Sequence, residues 1–261
     1  MERFVGGDLA MHVARVMGTA MARLAEAEIA LMRSRLEAPM LGRHESGASI
    51  LGAYANVMNW FLPGGLRTLD VLHRAHLVAI GLRYSEWALP PSDSNVVDTV
   101  VGFADMTEST RLVEETDLAG LDRALTAFER ITSDRLAAAG ASVVKRLGDG
   151  VMFVTPHTTA ACLVALDLVD VFRDRAGATP IRVGLAARQL AALRGDFFGP
   201  AVHLASRVVG AAPSSSVWVT DEVRIRAQGR GDFTFVPVGR HALAGFSEPV
   251  ALHRLERTPP A

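Results

Sequence analysis

One six-residue run, Pro90-Pro91-Ser92-Asp93-Ser94-Asn95, divides the chain into two stretches with different periodicities. Paired prolines remove two backbone donors, and the Ser, Asp and Asn that follow favour turns, so no helix or strand is expected to cross this run. Before it, apolar residues recur every three or four positions; after it, they cluster in short β-branched blocks. Such a chain folds as at least two units. Its 261 residues accommodate a smaller all-α domain over 1–91 and a larger α/β domain over 92–261.

In the first stretch, Leu9, Val13, Val16, Met17, Ala20, Leu24, Ala27 and Leu31 fall on one helical face. Asp8 stands where an N-cap is expected, and Pro39 and Gly42 are read as the end of this helix. A second helix is expected over Ala48–Leu62, stopped by Pro63-Gly64-Gly65, and a third over Leu66–Trp87 with Leu69, Leu72, Leu77 and Ile80 on its apolar side. The longest uncharged run, Ser46–Leu66, contains Asn56, Asn59, Pro63 and several glycines. It reads as a buried or partner-facing helix, and no membrane span is expected.

In the second stretch, strands are expected over Val96–Ala104, Ala141–Lys145, Val151–Thr155, Ile181–Leu185, Val217–Thr220, Phe233–Val238 and Val250–Leu255. Helices are expected over Leu112–Ala139, Thr158–Arg175 and Gly199–Val209. The segment Leu147-Gly148-Asp149-Gly150 reads as a hairpin turn. Strands alternating with helices, with hairpins inserted, give an α/β fold with a mixed sheet.

Charge narrows the function classes. With 27 basic and 28 acidic residues the net charge is -1, which does not suit a protein that binds nucleic acid by neutralising phosphates. The single cysteine, Cys162, excludes an internal disulfide framework and points to a reducing compartment, so a cytoplasmic location is expected. Every basic residue except Lys145 is arginine. An ammonium is a compact point donor and a guanidinium a planar fork, so a site that needs the former cannot accept the latter.

Two carboxylates mark candidate chemistry. Asp105 closes the strand ending in Phe103-Ala104, and Asp149 lies in the hairpin turn between Gly148 and Gly150. Brought side by side, they offer hard oxygen ligands for divalent metals. Either alone reads more readily as shaping a turn or capping a helix; the pair, with Gly148 and Gly150 around the second, is the more specific signal.

From Val96 to about Glu256 the sequence resembles the catalytic domain of class III nucleotidyl cyclases. Four segments carry the likeness, in the family's order: Phe103-Ala104-Asp105-Met106; Lys145-Arg146-Leu147-Gly148-Asp149-Gly150; Asp196-Phe197-Phe198-Gly199 with Val202, Ala205, Ser206 and Arg207; and Leu243, Gly245, Phe246, Glu248 and Pro249. The first stretch, through Ala14-Arg15-Val16-Met17-Gly18 and Ala22-Arg23-Leu24-Ala25-Glu26, resembles the helical regulatory or dimerisation domain that precedes some actinobacterial members.

The resemblance implies a ferredoxin-like catalytic domain that converts ATP to 3′,5′-cyclic AMP. The ribose 3′-hydroxyl attacks the α-phosphate and pyrophosphate leaves. It implies two Mg2+ or Mn2+ ions per active site, held by Asp105, Asp149 and the Met106 carbonyl. It also implies a homodimer in which one protomer supplies those metal ligands. The other supplies Lys145 and Asp196 for the base, Arg207 for phosphate charge and His203 for the ribose.

Adenine presents an acceptor at N1 and a donor at N6, which complement the Lys145 ammonium and the Asp196 carboxylate, so ATP is expected over GTP. Three departures set the chain apart from the family pattern: His203 replaces the usual Asn, Glu108-Ser109 replaces Gly-Phe in the phosphate loop, and Ala186-Ala187-Arg188 replaces His-Thr-Gly. The last two favour a second reading, a weak or inactive homologue that signals by binding a nucleotide or a partner.

Overall fold

The computed structural model describes residues 7–86, 96–107, 117–175, 178–193, 195–229 and 233–258. The Pro90–Asn95 run, the loop residues Glu108 and Ser109, and the start of the helix expected from Leu112 lie outside them. The chain forms two units, one ending at Glu86 and the other beginning at Trp87.

In the first unit, helix α1 (Gly7–Met32) passes through a π-helical turn (Arg33–Glu37) into α2 (Ala38–Gly42), and α3 spans Gly47–Glu86. Three expectations are corrected here. Asp8 lies inside α1 rather than ahead of it. Pro39 does not end the helix; it lies in α2, which follows the π-helical turn directly, and Glu37 and Ala38 before it keep right-handed helical dihedrals. Pro63-Gly64-Gly65 does not separate two helices: Pro63 lies inside one 40-residue helix. A proline removes one hydrogen bond, and the long helical runs on both sides maintain the conformation cooperatively.

The helical stripes exist as the periodicity indicates, yet they are largely uncovered. Among the described residues of this unit only Met32 and Met40 are buried, while Leu51, Leu66, Val71, Leu72 and Val78 are exposed and Trp60 is 82% exposed. Tyr54 of α3 donates to Glu37 Oε2 at 2.7 Å, tying α3 to the π-helical turn.

The second unit is a sheet layered with helices. Its elements are β1 (Val96–Met106), α4 (Leu118–Ala138), β2 (Ser142–Arg146), β3 (Gly150–Thr155), α5 (Thr158–Asp174), β4 (Ile181–Leu193), β5 (Asp196–Phe198), α6 (Pro200–Ala211), β6 (Val217–Thr220), α7 (Asp221–Ala227), β7 (Phe233–His241) and β8 (Val250–Arg257). The strand order is β2-β3-β1-β4-β6-β8-β7, with β5 paired to β4. Among the described strands β4 and β6 pair in parallel and the other pairs are antiparallel, so the mixed sheet stands as expected.

Strand β1 is rich in β-branched residues in its first half and buried on both faces, with neighbours on both edges, which suits the sheet centre. Its even-numbered side chains, Val100, Ala104 and Met106, enter one core with α4, α5 and α7. Its odd-numbered side chains, Val97, Val101 and Phe103, enter a second core with α6. Helix α6 approaches β4 at Gly184. A Cβ there would overlap the backbone nitrogen of Val209 and lie 2.8 Å from Val209 Cα and 2.9 Å from the Ala205 carbonyl oxygen. Only glycine permits this approach. Helix α4 is capped by Asp117, whose carboxylate accepts from Gly120 N at 2.7 Å.

Strand β4 runs eight residues beyond the expected Leu185 and absorbs Ala186-Ala187-Arg188. Those residues pair with Val101, Val100 and Thr99 of β1, so the departure from the family pattern leaves the ladder intact. Strand β5 and helix α7 were not expected from periodicity; at three and seven residues they are too short to show one.

Candidate active site

Asp105 shares the odd parity of Phe103, so it emerges on the second-core face at the end of β1. Its register partners are Gly150 on β3 and Arg182 on β4. The β2–β3 turn closes through Leu147 N donating to the Gly150 carbonyl at 2.8 Å, with Gly148 at φ 70°. Met106 N donates to the Asp149 carbonyl at 3.0 Å and fixes that turn against the end of β1. A Cβ at Gly150 would lie 3.3 Å from both Ala104 O and Asp105 Oδ1. Glycine at 150 thus leaves room for the Asp105 carboxylate against the turn that carries Asp149. Two expected metal ligands, distant in sequence, are brought to one strand end.

Arg182 joins them. Its Nε and Nη2 donate to Asp105 Oδ2 at 3.1 and 2.8 Å, and its Nη1 donates to the Gly210 carbonyl at 3.1 Å. Both side chains of the pair are about a quarter exposed. Arg182 was not among the expected site residues. The signal was present: a lone arginine inside the apolar Ile181–Leu185 segment has to face something other than a core.

Lys145 is positioned by a β-bulge. Val143 pairs with Phe153, but the register slips and Lys145, not Val144, lies opposite Met152. In an unbroken strand Lys145 would share the face of Val143; the bulge turns it to the face of Met152, the side of the second core. From there Lys145 Nζ donates to Asp196 Oδ2 at 2.6 Å, with the side chains 37% and 30% exposed. Asp196 is held in turn by Phe197 N, which donates to its Oδ1 at 2.8 Å. The chain's lone lysine therefore meets the expected base-reading aspartate within one chain, across 51 positions of sequence.

Helix α6 begins after Gly199, which takes φ 147°, and Pro200 occupies its first turn. Ala201, Leu204, Ala205, Val208 and Val209 are buried, which leaves His203 and Arg207 exposed and one turn apart on the outer face. Among the described residues neither makes a hydrogen bond or ion pair. The structure does not join them to Asp105, Asp149, Lys145 or Asp196 by any such bond.

The donor set at the end of β1 suits a hard divalent cation: two carboxylates and a backbone carbonyl, with Asp105 Oδ1 free of Arg182 and the turn held close by Gly150. Among the described residues there is no cluster of three His, Cys, Asp or Glu, so the described side chains alone do not complete a coordination shell. Mg2+ characteristically takes one or two carboxylates and fills the rest with waters and substrate phosphates. Cys162 plays no part: it is buried, and burial pushes its thiol up to about 12.

Comparisons with known proteins agree with this architecture. An uncharacterised protein of Mycobacterium tuberculosis is 33% identical over 261 residues, which are the whole of this chain and 68% of that protein. An adenylate cyclase of Streptomyces coelicolor is 32% identical over 213 residues, 81% of this chain; the match spans about half, 54%, of that relative's length. Among solved structures, adenylate cyclase of Trypanosoma brucei in its monomeric state superposes with a TM-score of 0.58 at 20% identity, covering 66% of this chain and 91% of that one. No family model matches the sequence. Among the described residues no helix is long and apolar enough to cross a membrane. With the strand order, the paired Lys145 and Asp196, and Asp105 and Asp149 at one strand end, these likenesses place the chain in the class III nucleotidyl cyclase family.

Proposed function

We propose that this chain is an adenylate cyclase that closes ATP to 3′,5′-cyclic AMP and pyrophosphate at sites shared between two copies. The observation that carries the reading is the 2.6 Å pair between Lys145 and Asp196. The pair offers a donor and an acceptor side by side, which complements N1 and N6 of adenine. Guanine presents a donor at N1 and an acceptor at O6, and would set like against like on both residues. A buried polar group left unpaired costs about 1–3 kcal/mol, and more if charged.

Asp105, Asp149 and the Met106 carbonyl would hold Mg2+ or Mn2+, two ions per site. When bound, such ions lower the pKa of a coordinated hydroxyl and neutralise charge on the phosphates. The protein orients the groups around them. Arg182 fixes one oxygen of Asp105, and the turn carrying Asp149 is fixed to Met106 N. The 3′-oxygen forms its bond to the α-phosphorus as the bond to the pyrophosphate oxygen breaks. Arg207, exposed and without an ionic partner among the described residues, would meet the charge that develops there, and His203 would donate to the ribose. These two residues come from the protomer that supplies Lys145 and Asp196; the metal ligands come from its partner.

The helical unit supports dimerisation because its apolar side chains, Trp60 foremost, are uncovered in one copy. The test is a cyclic-AMP assay on the full chain with ATP or GTP and with Mg2+ or Mn2+. ATP-dependent product confirms the reading. Nucleotide binding without product under every condition transfers support to the non-catalytic homologue, which Glu108-Ser109 and Ala186-Ala187-Arg188 in the sequence favour.

A further inference from the structure

Strand β5 presents two side chains on one face and one on the other. Phe197 turns inward and packs against the second core. Asp196 and Phe198, two residues apart, share the opposite face, about 7 Å apart along the strand. Asp196 reaches Lys145. Phe198 is 49% exposed and borders Gly199, at the start of the helix that carries His203 and Arg207. A half-exposed phenyl ring thus lies two residues after the base-reading Asp196 and next to the glycine that opens the helix carrying His203 and Arg207. We infer that Phe198 is a substrate-binding residue whose ring packs on the nucleoside part of ATP, against the purine and its ribose. The inference rests on the adenylate cyclase reading and adds a contact that depends on the nucleoside and not on the phosphates.

The chemistry suits that role. The ion pair reads the edge of a base and has no apolar surface with which to hold its face. Stacking on an aromatic ring adds affinity for a base, and the contact tolerates any base because every base has a π-face. Phe198 therefore supplies affinity, and the pair beside it supplies the choice of base. Water on the ring is displaced only when a nucleoside covers it, so binding of the phosphates alone draws nothing from this residue.

The test compares ligands with and without a nucleoside on the full chain. Phe198→Ala is expected to raise the KM for ATP about tenfold with kcat little changed, and to weaken ATP binding by calorimetry to the same degree. Phe198→Tyr, which keeps the ring, is expected to recover most of the loss. Inhibition by pyrophosphate and binding of tripolyphosphate should be the same in wild type and Phe198→Ala. A KM within twofold of wild type for Phe198→Ala overturns the inference. So does an equal loss of polyphosphate binding, or a shift to monomer in sedimentation that accounts for the loss. If wild type makes no cyclic AMP, the cyclase reading fails, and the calorimetric comparison of ATP with tripolyphosphate still decides the role of Phe198.

Discussion

Arg182 directs two nitrogens, Nε and Nη2, at a single oxygen of Asp105, Oδ2, and leaves Oδ1 facing the β2–β3 turn. The carboxylate is thereby divided: one oxygen is committed to the neighbouring strand and the other is available to a cation. Asp105→Ala or Asp149→Ala should each lower metal-dependent product formation by at least about a hundredfold, since a metal contributes several kcal/mol to the transition state. Arg182→Ala should cost about tenfold, the value of an oriented charge-assisted bond. Initial rates at saturating Mn2+ test this; an Arg182→Ala loss as deep as that of Asp105→Ala would show that orientation matters as much as ligation.

The proposed sharing of the site between copies makes complementation the decisive assay. Asp105→Ala and Lys145→Ala protomers, each inactive alone, should regain part of the activity when mixed, because one of the two sites in a heterodimer is then intact. Mixing without recovery, with heterodimers shown to form, would mean that each chain carries a complete site.

Base choice should follow the donor and acceptor pattern at 145 and 196. Lys145→Glu with Asp196→Cys is expected to weaken ATP use and raise the rate with GTP relative to ATP. Competition between the two nucleotides in one reaction measures the ratio directly. Equal use of GTP and ATP by the wild type would remove the basis for the assignment.

Packing at Gly184 is tested by stability. Gly184→Ala places a methyl against the backbone of α6, with Val209 and Ala205 in its way. Overpacking of this kind costs about 1–3 kcal/mol, which a lowered midpoint in urea would register. An unchanged midpoint would mean that α6 can slide away from β4 at no cost.

The Cys162 thiol, pushed up to about 12 by burial, should be almost entirely protonated at pH 8. The thiolate is the reactive form, so alkylation in the native protein should be negligible and should become rapid in denaturant. Labelling at the native rate of a free thiol would show that α5 opens readily.

The sheet and the residues of the candidate site were legible because strong local patterns marked them. Val96–Val101 is β-branched at every position but Asp98, and Gly148-Asp149-Gly150 allows little except a tight turn. Lys145 stood out against a background of arginine. The bulge at Val143–Lys145 was not legible, because it depends on the register against Met152 and Phe153, which are non-local. Pro63 misled for the converse reason: a local breaker was overridden by the helix on both sides of it. Arg182 escaped notice because its partner lies 77 residues away and only the β1–β4 register brings them together.

The two ends of the proposed nucleotide site rest on parts of the sheet that differ in how readily they open. Asp105 ends a strand hydrogen-bonded on both edges and buried on both faces, so its amides should exchange with solvent only when the domain as a whole unfolds. Lys145 belongs to β2, an edge strand with one neighbour and a bulge, which can fray while the centre holds. Hydrogen exchange should therefore separate them, with protection high through Val100–Ala104 and low through Ser142–Arg146. Such a division would let the edge proposed to read the base adjust during binding while the strand proposed to hold the metal stays fixed.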